Sequence, residues 1–221
     1  MTKTEILARV DHTMLKADAG WQQIKLLCDE AAQYKTASIC INAVWVEQAK
    51  DYLAGAIPIC TTVGFPLGAT SSRAKVEEAV QALSDGADEF DMVINIGRLK
   101  DGDTRYVLDD IVAVRKAVEG KVLKVIIETC LLNEEEKETM CDIVCESGAD
   151  FIKTSTGFST AGATFSDIEL FARCVRGRVK IKAAGGIRSV EDMRRYISLG
   201  CDRLGTSSAI RLLNEMEAQD Y

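Results

Sequence analysis

Three short passages repeat one design. Asp85-Gly86-Ala87-Asp88, Ser147-Gly148-Ala149-Asp150 and Leu199-Gly200-Cys201-Asp202 each set a glycine after an amphipathic stretch and just ahead of a strand-like run. A glycine at that point can take the left-handed conformation that ends a helix, and the chain then turns directly into a strand. Repetition of helix, glycine, turn and strand is what stacked βα units require. The rest of the chain carries the same alternation. Strand candidates lie near 8–12, 37–41, 57–63, 88–95, 122–128, 150–154, 179–183 and 201–205. Several are nearly continuous apolar runs, as parallel strands buried on both faces should be. Between them Val76, Ala79, Val80 and Leu83, and again Val107, Ile111, Val114 and Val118, follow the spacing of one helix face. Asn133 ahead of Glu134, Glu135 and Glu136 reads as a helix start, with acids at the positive end of the helix dipole; Ser189 ahead of Glu191 and Asp192 reads the same way. A short extra helix is expected around Thr4–Ala8.

Eight such units over 221 residues take about 28 residues each, which falls in the lower size range of a parallel eight-stranded barrel. Only two prolines occur, and no Ser/Gly linker divides the chain. The expectation is an α/β protein, a single (β/α)8 TIM barrel spanning residues 1–221. A doubly wound open sheet is the alternative. It normally follows its first strand with a Gly-rich turn, whereas this chain has His12-Thr13-Met14-Leu15-Lys16 there.

Charge and cysteine usage exclude several partners. The 34 acidic and 27 basic residues give a net charge of −7, the wrong sign for a nucleic-acid-binding face. No segment approaches the roughly 18 apolar residues of a bilayer span, and the start, MTKTEILARVDHT, lacks the apolar stretch of a signal peptide. No nucleic acid, no membrane and a cytoplasmic location are therefore expected. In a reducing compartment the eight cysteines (Cys28, Cys40, Cys60, Cys130, Cys141, Cys145, Cys174 and Cys201) stay free, and most read as small core hydrophobes. There is no C-x-x-C, and His12 is the single histidine, so no metal site is expected.

In a barrel of this kind the chemistry sits at the carboxyl ends of the strands. Asp91, Lys153 and Lys182 are each an ionisable residue inside a run that otherwise reads as buried strand. Burying a lone charge is costly unless it is paired or its ionisation shifts. A strand lysine can instead snorkel outward, which explains one strand more easily than three. Lys180, two residues before Lys182, shares its face but lies farther from the carboxyl end. Two neighbouring lysines disfavour each other's protonation, so one of them can act as a neutral amine that attacks a carbonyl to form a Schiff base. An aspartate beside them can relay protons.

The last two strands carry a second signal. Ala184-Gly185-Gly186-Ile187-Arg188 follows the seventh, and Gly205-Thr206-Ser207-Ser208 follows the eighth. Glycines let backbone N–H groups approach an anion, and the loops after strands seven and eight are this fold's recurrent phosphate site. Gly157, Gly185, Gly186, Arg188, Gly205, Ser207 and Ser208 are the candidate phosphate ligands. Cys40, ending the second strand, and Thr156 are candidate pocket-lining residues. Glycines that only shape tight turns are the simpler alternative, and two such loops side by side weigh against it.

These residues resemble the deoxyribose-phosphate aldolase family along nearly the whole chain. The resemblance rests on Asp11-His12-Thr13 with Leu15-Lys16, on Thr62-Val63-Gly64-Phe65-Pro66-Leu67-Gly68, on Glu89-Phe90-Asp91-Met92-Val93-Ile94-Asn95-Ile96-Gly97, and on Lys124-Val125-Ile126-Ile127-Glu128-Thr129. Its most specific parts are Phe151-Ile152-Lys153-Thr154-Ser155-Thr156-Gly157-Phe158 and Lys182-Ala183-Ala184-Gly185-Gly186-Ile187-Arg188. It implies a class I lyase on a βα barrel, working without a cofactor in deoxyribonucleoside catabolism. Its substrate would be a small phosphorylated sugar, 2-deoxy-D-ribose 5-phosphate, cleaved reversibly to acetaldehyde and D-glyceraldehyde 3-phosphate. Lys153 would be the Schiff-base lysine, Lys182 the second lysine that tunes it, and Asp91 the completing member of the proton relay. A homodimer is the implied assembly. Phe158 departs from family members that carry lysine there, which leaves Arg188 as the nearest phosphate counter-charge. The segment Cys40-Ile41-Asn42-Ala43-Val44-Trp45 lacks a proline common in the family, and Tyr221 resembles the mobile tail of some relatives. A barrel aldolase with another donor, an epimerase, or a sugar-phosphate sensor would share parts of this pattern. An epimerase wants paired acids or metal-binding histidines at strand ends, and a sensor would be expected to have lost a strand-end lysine.

Overall fold

A computed structural model describes residues 1–219. Eight parallel strands close into one barrel in chain order, with β1 (Val10–Met14) pairing both β2 (Ser38–Ile41) and β8 (Arg203–Thr206). Between these lie β3 (Ile59–Val63), β4 (Glu89–Val93), β5 (Val122–Ile126), β6 (Phe151–Lys153) and β7 (Lys180–Ala184). The helices are α1 (Lys3–Leu7), α2 (Trp21–Tyr34), α3 (Val46–Leu53), α4 (Ser72–Ser84), α5 (Ile96–Lys100), α6 (Thr104–Ala117), α7 (Glu134–Glu146), α8 (Phe165–Val175), α9 (Val190–Ser198) and α10 (Ala209–Gln219). The expected (β/α)8 barrel is the observed fold.

The repeated passages have a mechanical explanation. Gly86, Gly148 and Gly200 follow α4, α7 and α9 with φ of 104°, 78° and 109°. The aspartate two residues later turns back to the preceding strand. Asp88 accepts the Ile59 N–H at 3.2 Å, Asp150 the Leu123 N–H at 2.8 Å, and Asp202 the Ile181 N–H at 3.0 Å. Each aspartate thus satisfies a backbone donor at the open amino end of a neighbouring strand, where the ladder would leave it unpaired. Helix starts follow the sequence as well. Asn133 and Glu136 form a reciprocal capping box on α7, and Ser189 accepts the Asp192 N–H at 3.0 Å on α9.

Most strands are shorter than or shifted from the sequence reading, and one helix face is turned. The first strand begins at Val10 rather than residue 8, because Ala8 and Arg9 close α1 by donating to Thr4 and Ile6 carbonyls. On α4, Val80 is 46% exposed although it fits the apolar spacing. The inner face of that helix is Lys75, Ala79 and Ala82. Lys75 is fully buried, with its ammonium 2.6 Å from Asp110 and 2.9 Å from the Val93 carbonyl.

Alternation along the strands divides two tasks. Ile39, Ile41, Ile59, Val63, Phe90, Met92, Leu123, Val125, Ile152, Ile181, Ala183 and Leu204 join the buried faces of the helices in one continuous apolar core. Burying each of the larger aliphatic side chains contributes roughly 1.5–3 kcal/mol. The intervening residues fill the barrel interior. Barrels of this type usually fill it with layers of Val, Ile and Leu. Here the interior holds Asp11, Ser38, Cys40, Cys60, Glu89, Asp91, Lys124, Lys153 and Lys182, all buried, with Arg203 partly buried below them. All eight cysteines are free thiols, and Cys28, Cys40, Cys60, Cys141 and Cys201 are buried.

Candidate active site

The interior charges form one connected network. Asp91 Oδ2 accepts from Lys153 Nζ at 2.7 Å and from Lys182 Nζ at 2.6 Å. Asp91 Oδ1 accepts from Lys124 Nζ at 2.9 Å and from the Cys60 thiol at 3.2 Å. Lys182 also bonds Asp11, whose other oxygen takes the Ser38 hydroxyl at 2.7 Å and the Arg203 guanidinium. Glu89 joins the base of the network, 2.6 Å from Lys124 and 3.1 Å from Arg203. Strand register explains the convergence. Asp91 lies opposite Lys124, Lys153 opposite Lys182, and Lys182 opposite Arg203, so closure of the sheet gathers them in stacked layers.

Burial would raise the Asp91 carboxyl, but the ammonium groups of Lys124, Lys153 and Lys182 outweigh it and hold the group well below the usual carboxylate range. Asp11 is lowered in the same way, against its burial, by Lys182, Lys124 and Arg203. Burial would likewise strip the proton from Lys182; Asp11 and Asp91 reverse that and keep it a cation. Burial raises the Cys60 thiol well above its usual range, so it serves Asp91 as a neutral donor. Three carboxylates thus face four cations, an excess of one positive charge inside the barrel.

Above Lys153 the barrel opens into a cavity of about 550 Å³, the size of a small-molecule site. Lys153 reaches it from below, and Thr13, Leu15 and Lys16 form one wall. The other walls contain Thr156, Gly157, Gly185, Gly186, Arg188, Gly205, Ser207 and Ser208, so the structure brings the candidate phosphate ligands to one cavity with Lys153. Gly157, Gly185 and Gly186 have φ of 84°, 77° and 73°, a backbone shape that side-chain-bearing residues rarely adopt. Among the described residues, the N–H groups of Gly185, Gly186 and Ser207 have no hydrogen-bond partner, and Arg188 and Lys16 have no ion pair. Gly205 serves a different need. A Cβ there would sit 3.1 Å from Lys182 Cε and 3.0 Å from Ala184 Cβ.

The remaining candidates lie as follows. Cys40 is buried in a small cluster with Leu15 and Cys60, below the cavity wall that Leu15 provides. Phe158 stands half-exposed at the mouth, its ring edge-on to Phe65 with centroids 5.2 Å apart. Lys180 lies exposed at the opposite end of the barrel, its ammonium over the Phe151 ring. Tyr221 lies outside the described residues. Sequence reading did not single out Asp11, Glu89, Lys124 and Arg203 as members of this network, nor Lys16 as a lining residue. Counting back two residues from Asp91 finds Glu89, and the same parity rule applied across the ring finds the others.

A closed parallel barrel with ionised side chains below a cavity at its carboxyl end has the layout of a barrel enzyme. The family model described as DeoC/LacD family aldolase matches residues 6–214, and the chain belongs to that family. It is 53% identical to a deoxyribose-phosphate aldolase of Clostridium botulinum (strain Alaska E43 / Type E3) over 221 residues, all of both chains. It is 51% identical to the deoxyribose-phosphate aldolase of Clostridioides difficile (strain 630) over 216 residues, 98% of this chain and 99% of the relative. A solved tetrameric deoxyribose phosphate aldolase from Aeropyrum pernix superposes with a TM-score of 0.90 at 28% identity, covering 99% of this chain and 93% of that one.

Proposed function

We propose that the chain reversibly cleaves 2-deoxy-D-ribose 5-phosphate to acetaldehyde and D-glyceraldehyde 3-phosphate through a Schiff base on Lys153. The observation that carries this reading is the position of Lys153, whose ammonium touches Asp91 on one side and the cavity on the other. In cleavage, the Lys153 ammonium releases a proton to the water of the cavity and adds as the free amine to the C1 aldehyde of the open-chain sugar, and the carbinolamine takes a proton back as it loses water to give the iminium. A base takes the C3 hydroxyl proton, the C2–C3 bond breaks, and its electrons flow into the iminium to give an enamine while C3 becomes the aldehyde of glyceraldehyde 3-phosphate. Protonation at C2 and addition of water release acetaldehyde and restore the lysine. Asp91 and Lys182 are the proton-handling groups in contact with Lys153 or its partner.

The charge count supports this sequence. An iminium keeps the positive charge of the ammonium it replaces, whereas the enamine is neutral. With the enamine in place and the C3 proton passed on to the water of the cavity, Asp11, Glu89 and Asp91 face Lys124, Lys182 and Arg203 alone, three against three. A low-dielectric interior favours that balance, and so favours the carbanion-equivalent intermediate.

Borohydride added with acetaldehyde tests the reading directly. Peptide mass spectrometry is expected to find a stable ethyl group on Lys153. A folded sample carrying no adduct would falsify the class I mechanism. The phosphate assignment has its own test. Arg188→Ala is expected to raise KM for the phosphorylated sugar roughly tenfold while kcat stays within about twofold, because one charge-assisted contact to the phosphate is lost. An unchanged KM in steady-state kinetics would remove Arg188 from the phosphate site. Cytoplasmic location and a homodimer belong to the same proposal. A phosphorylated sugar does not cross a bilayer unaided, and among the described residues no helix is long and apolar enough to span one.

A further inference from the structure

Glu128 has a conformation that nothing in the reaction scheme requires. It follows β5 with φ 55° and ψ 66°, the left-handed region, where a glutamate is uncommon, and it is 2% exposed. Its carboxylate does not line the cavity; it engages the segment that does. The Thr156 N–H donates to Glu128 Oε1 at 3.2 Å and Oε2 at 3.4 Å, and the Thr156 hydroxyl donates to Oε2 as well. That hydroxyl oxygen accepts the Phe158 N–H at 3.1 Å. The backbone donors on either side of Gly157 are therefore committed. The Gly157 N–H between them has no partner among the described residues, and Gly157 packs against Gly185 so closely that a Cβ on Gly185 would lie 3.3 Å from its Cα.

The geometry points to Glu128 as a positioning residue that shapes the Thr156–Phe158 turn so that the single free donor of that turn, the Gly157 N–H, serves the substrate phosphate together with the Gly185 loop. This rests on the phosphate reading above and names a residue for it that touches no substrate. The buried carboxylate takes the two donors of Thr156, whose side chain would otherwise leave the turn free to shift. A left-handed backbone persists at residue 128 because its side chain is buried and held by hydrogen bonds from Thr156 and the Cys130 thiol.

The experiment compares Glu128→Gln, Glu128→Asp, Thr156→Val and Thr156→Ser with the wild type on 2-deoxyribose 5-phosphate and on unphosphorylated 2-deoxyribose. Inorganic phosphate serves as a competitive inhibitor. Glutamine replaces one acceptor oxygen by a donor, aspartate draws the same charge back by one methylene, and valine removes the hydroxyl from the other side of the clamp. Each is expected to raise KM for the phosphorylated sugar and Ki for phosphate by about tenfold, the scale of one lost charge-assisted hydrogen bond. For the two Glu128 variants, kcat and turnover of the unphosphorylated sugar are expected to change less than about twofold. Thr156→Ser, which keeps the hydroxyl, is expected to keep the wild-type KM for the phosphorylated sugar and Ki for phosphate. Equal losses with both sugars would overturn the proposal, since the clamp would then act on the reacting centre or on the fold. Wild-type KM and Ki in Glu128→Gln and Thr156→Val would also overturn it. If Arg188→Ala weakens phosphate binding and the Glu128 variants do not, this inference fails while the phosphate reading stands. A wild type indifferent to the phosphate would end both.

Discussion

Leucine at position 153 is expected to leave a folded barrel whose turnover is lower by at least about 10⁴-fold, because the nucleophile that forms the covalent intermediate is gone. Stability should hardly suffer. Removing the Lys153 cation leaves Lys124, Lys182 and Arg203 to balance Asp11, Glu89 and Asp91, and leucine fills much of the vacated volume. Two measurements decide: kcat with the phosphorylated sugar, and the thermal midpoint by circular dichroism. Wild-type kcat in Lys153→Leu would assign the imine to another lysine. Lost activity together with a collapsed midpoint would mean that the charge count misjudges the interior.

Asparagine at position 91 is expected to do the opposite, harming both function and fold. It would leave two carboxylates against four cations in a closed interior. Breaking a buried pair in this way costs about 3–5 kcal/mol, and losing a proton-transfer group lowers kcat by about 10²–10⁴-fold. The pH dependence has a definite sign. Asp91 ionises at lower pH in the folded chain than in the unfolded one. Its contribution to stability is therefore complete above the ordinary aspartate value of about 4, and fades as the pH falls from there through the lower folded-state value. Urea unfolding of wild type and Asp91→Asn should show a constant gap from neutral pH down to about 5, and a narrowing gap in stronger acid. A gap that instead closes between pH 7 and 5 would show that the carboxylate is not held ionised by its lysines.

The βα alternation is legible in the chain because each strand candidate is short, apolar and punctuated by a glycine with a definite backbone duty. Gly86, Gly148 and Gly200 carry positive φ where the pattern requires it. Asp91, Lys153 and Lys182 stand out because a charge inside an apolar run is expensive. Asp11 and Arg203 do not stand out, since each has polar neighbours that make it read as an ordinary strand end, His12 and Thr13 for one and Asp202 for the other; Lys124, between Leu123 and Val125, meets the same criterion as Lys153, and the sequence reading passes over it. The meaning of Asp11 and Arg203 comes from ring closure, which sets β1 beside β8 and brings residues 11 and 203 into contact across almost the whole length of the chain. Val80 misleads for the converse reason. Its spacing is helical, but the inner face beside it is taken by Lys75, whose partner Asp110 comes from a different helix. Glu128 was visible only as a letter in a motif. No linear pattern announces a left-handed glutamate that clamps a turn 28 residues away.

The alternation of the strands has a consequence for how such a protein diverges. Holding the barrel shut and running its chemistry are assigned to neighbouring residues facing opposite ways, Ile152 outward and Lys153 inward, Ile181 outward and Lys182 inward. The outward set answers to the helices alone, and the inward set to whatever molecule occupies the mouth. A lineage can therefore exchange inward residues for new substrates without renegotiating the helix packing, provided the buried charges stay balanced. Gly205 marks the limit of that freedom. It is an inward position where even a Cβ would crowd Ala184 and Lys182, at 3.0 and 3.1 Å.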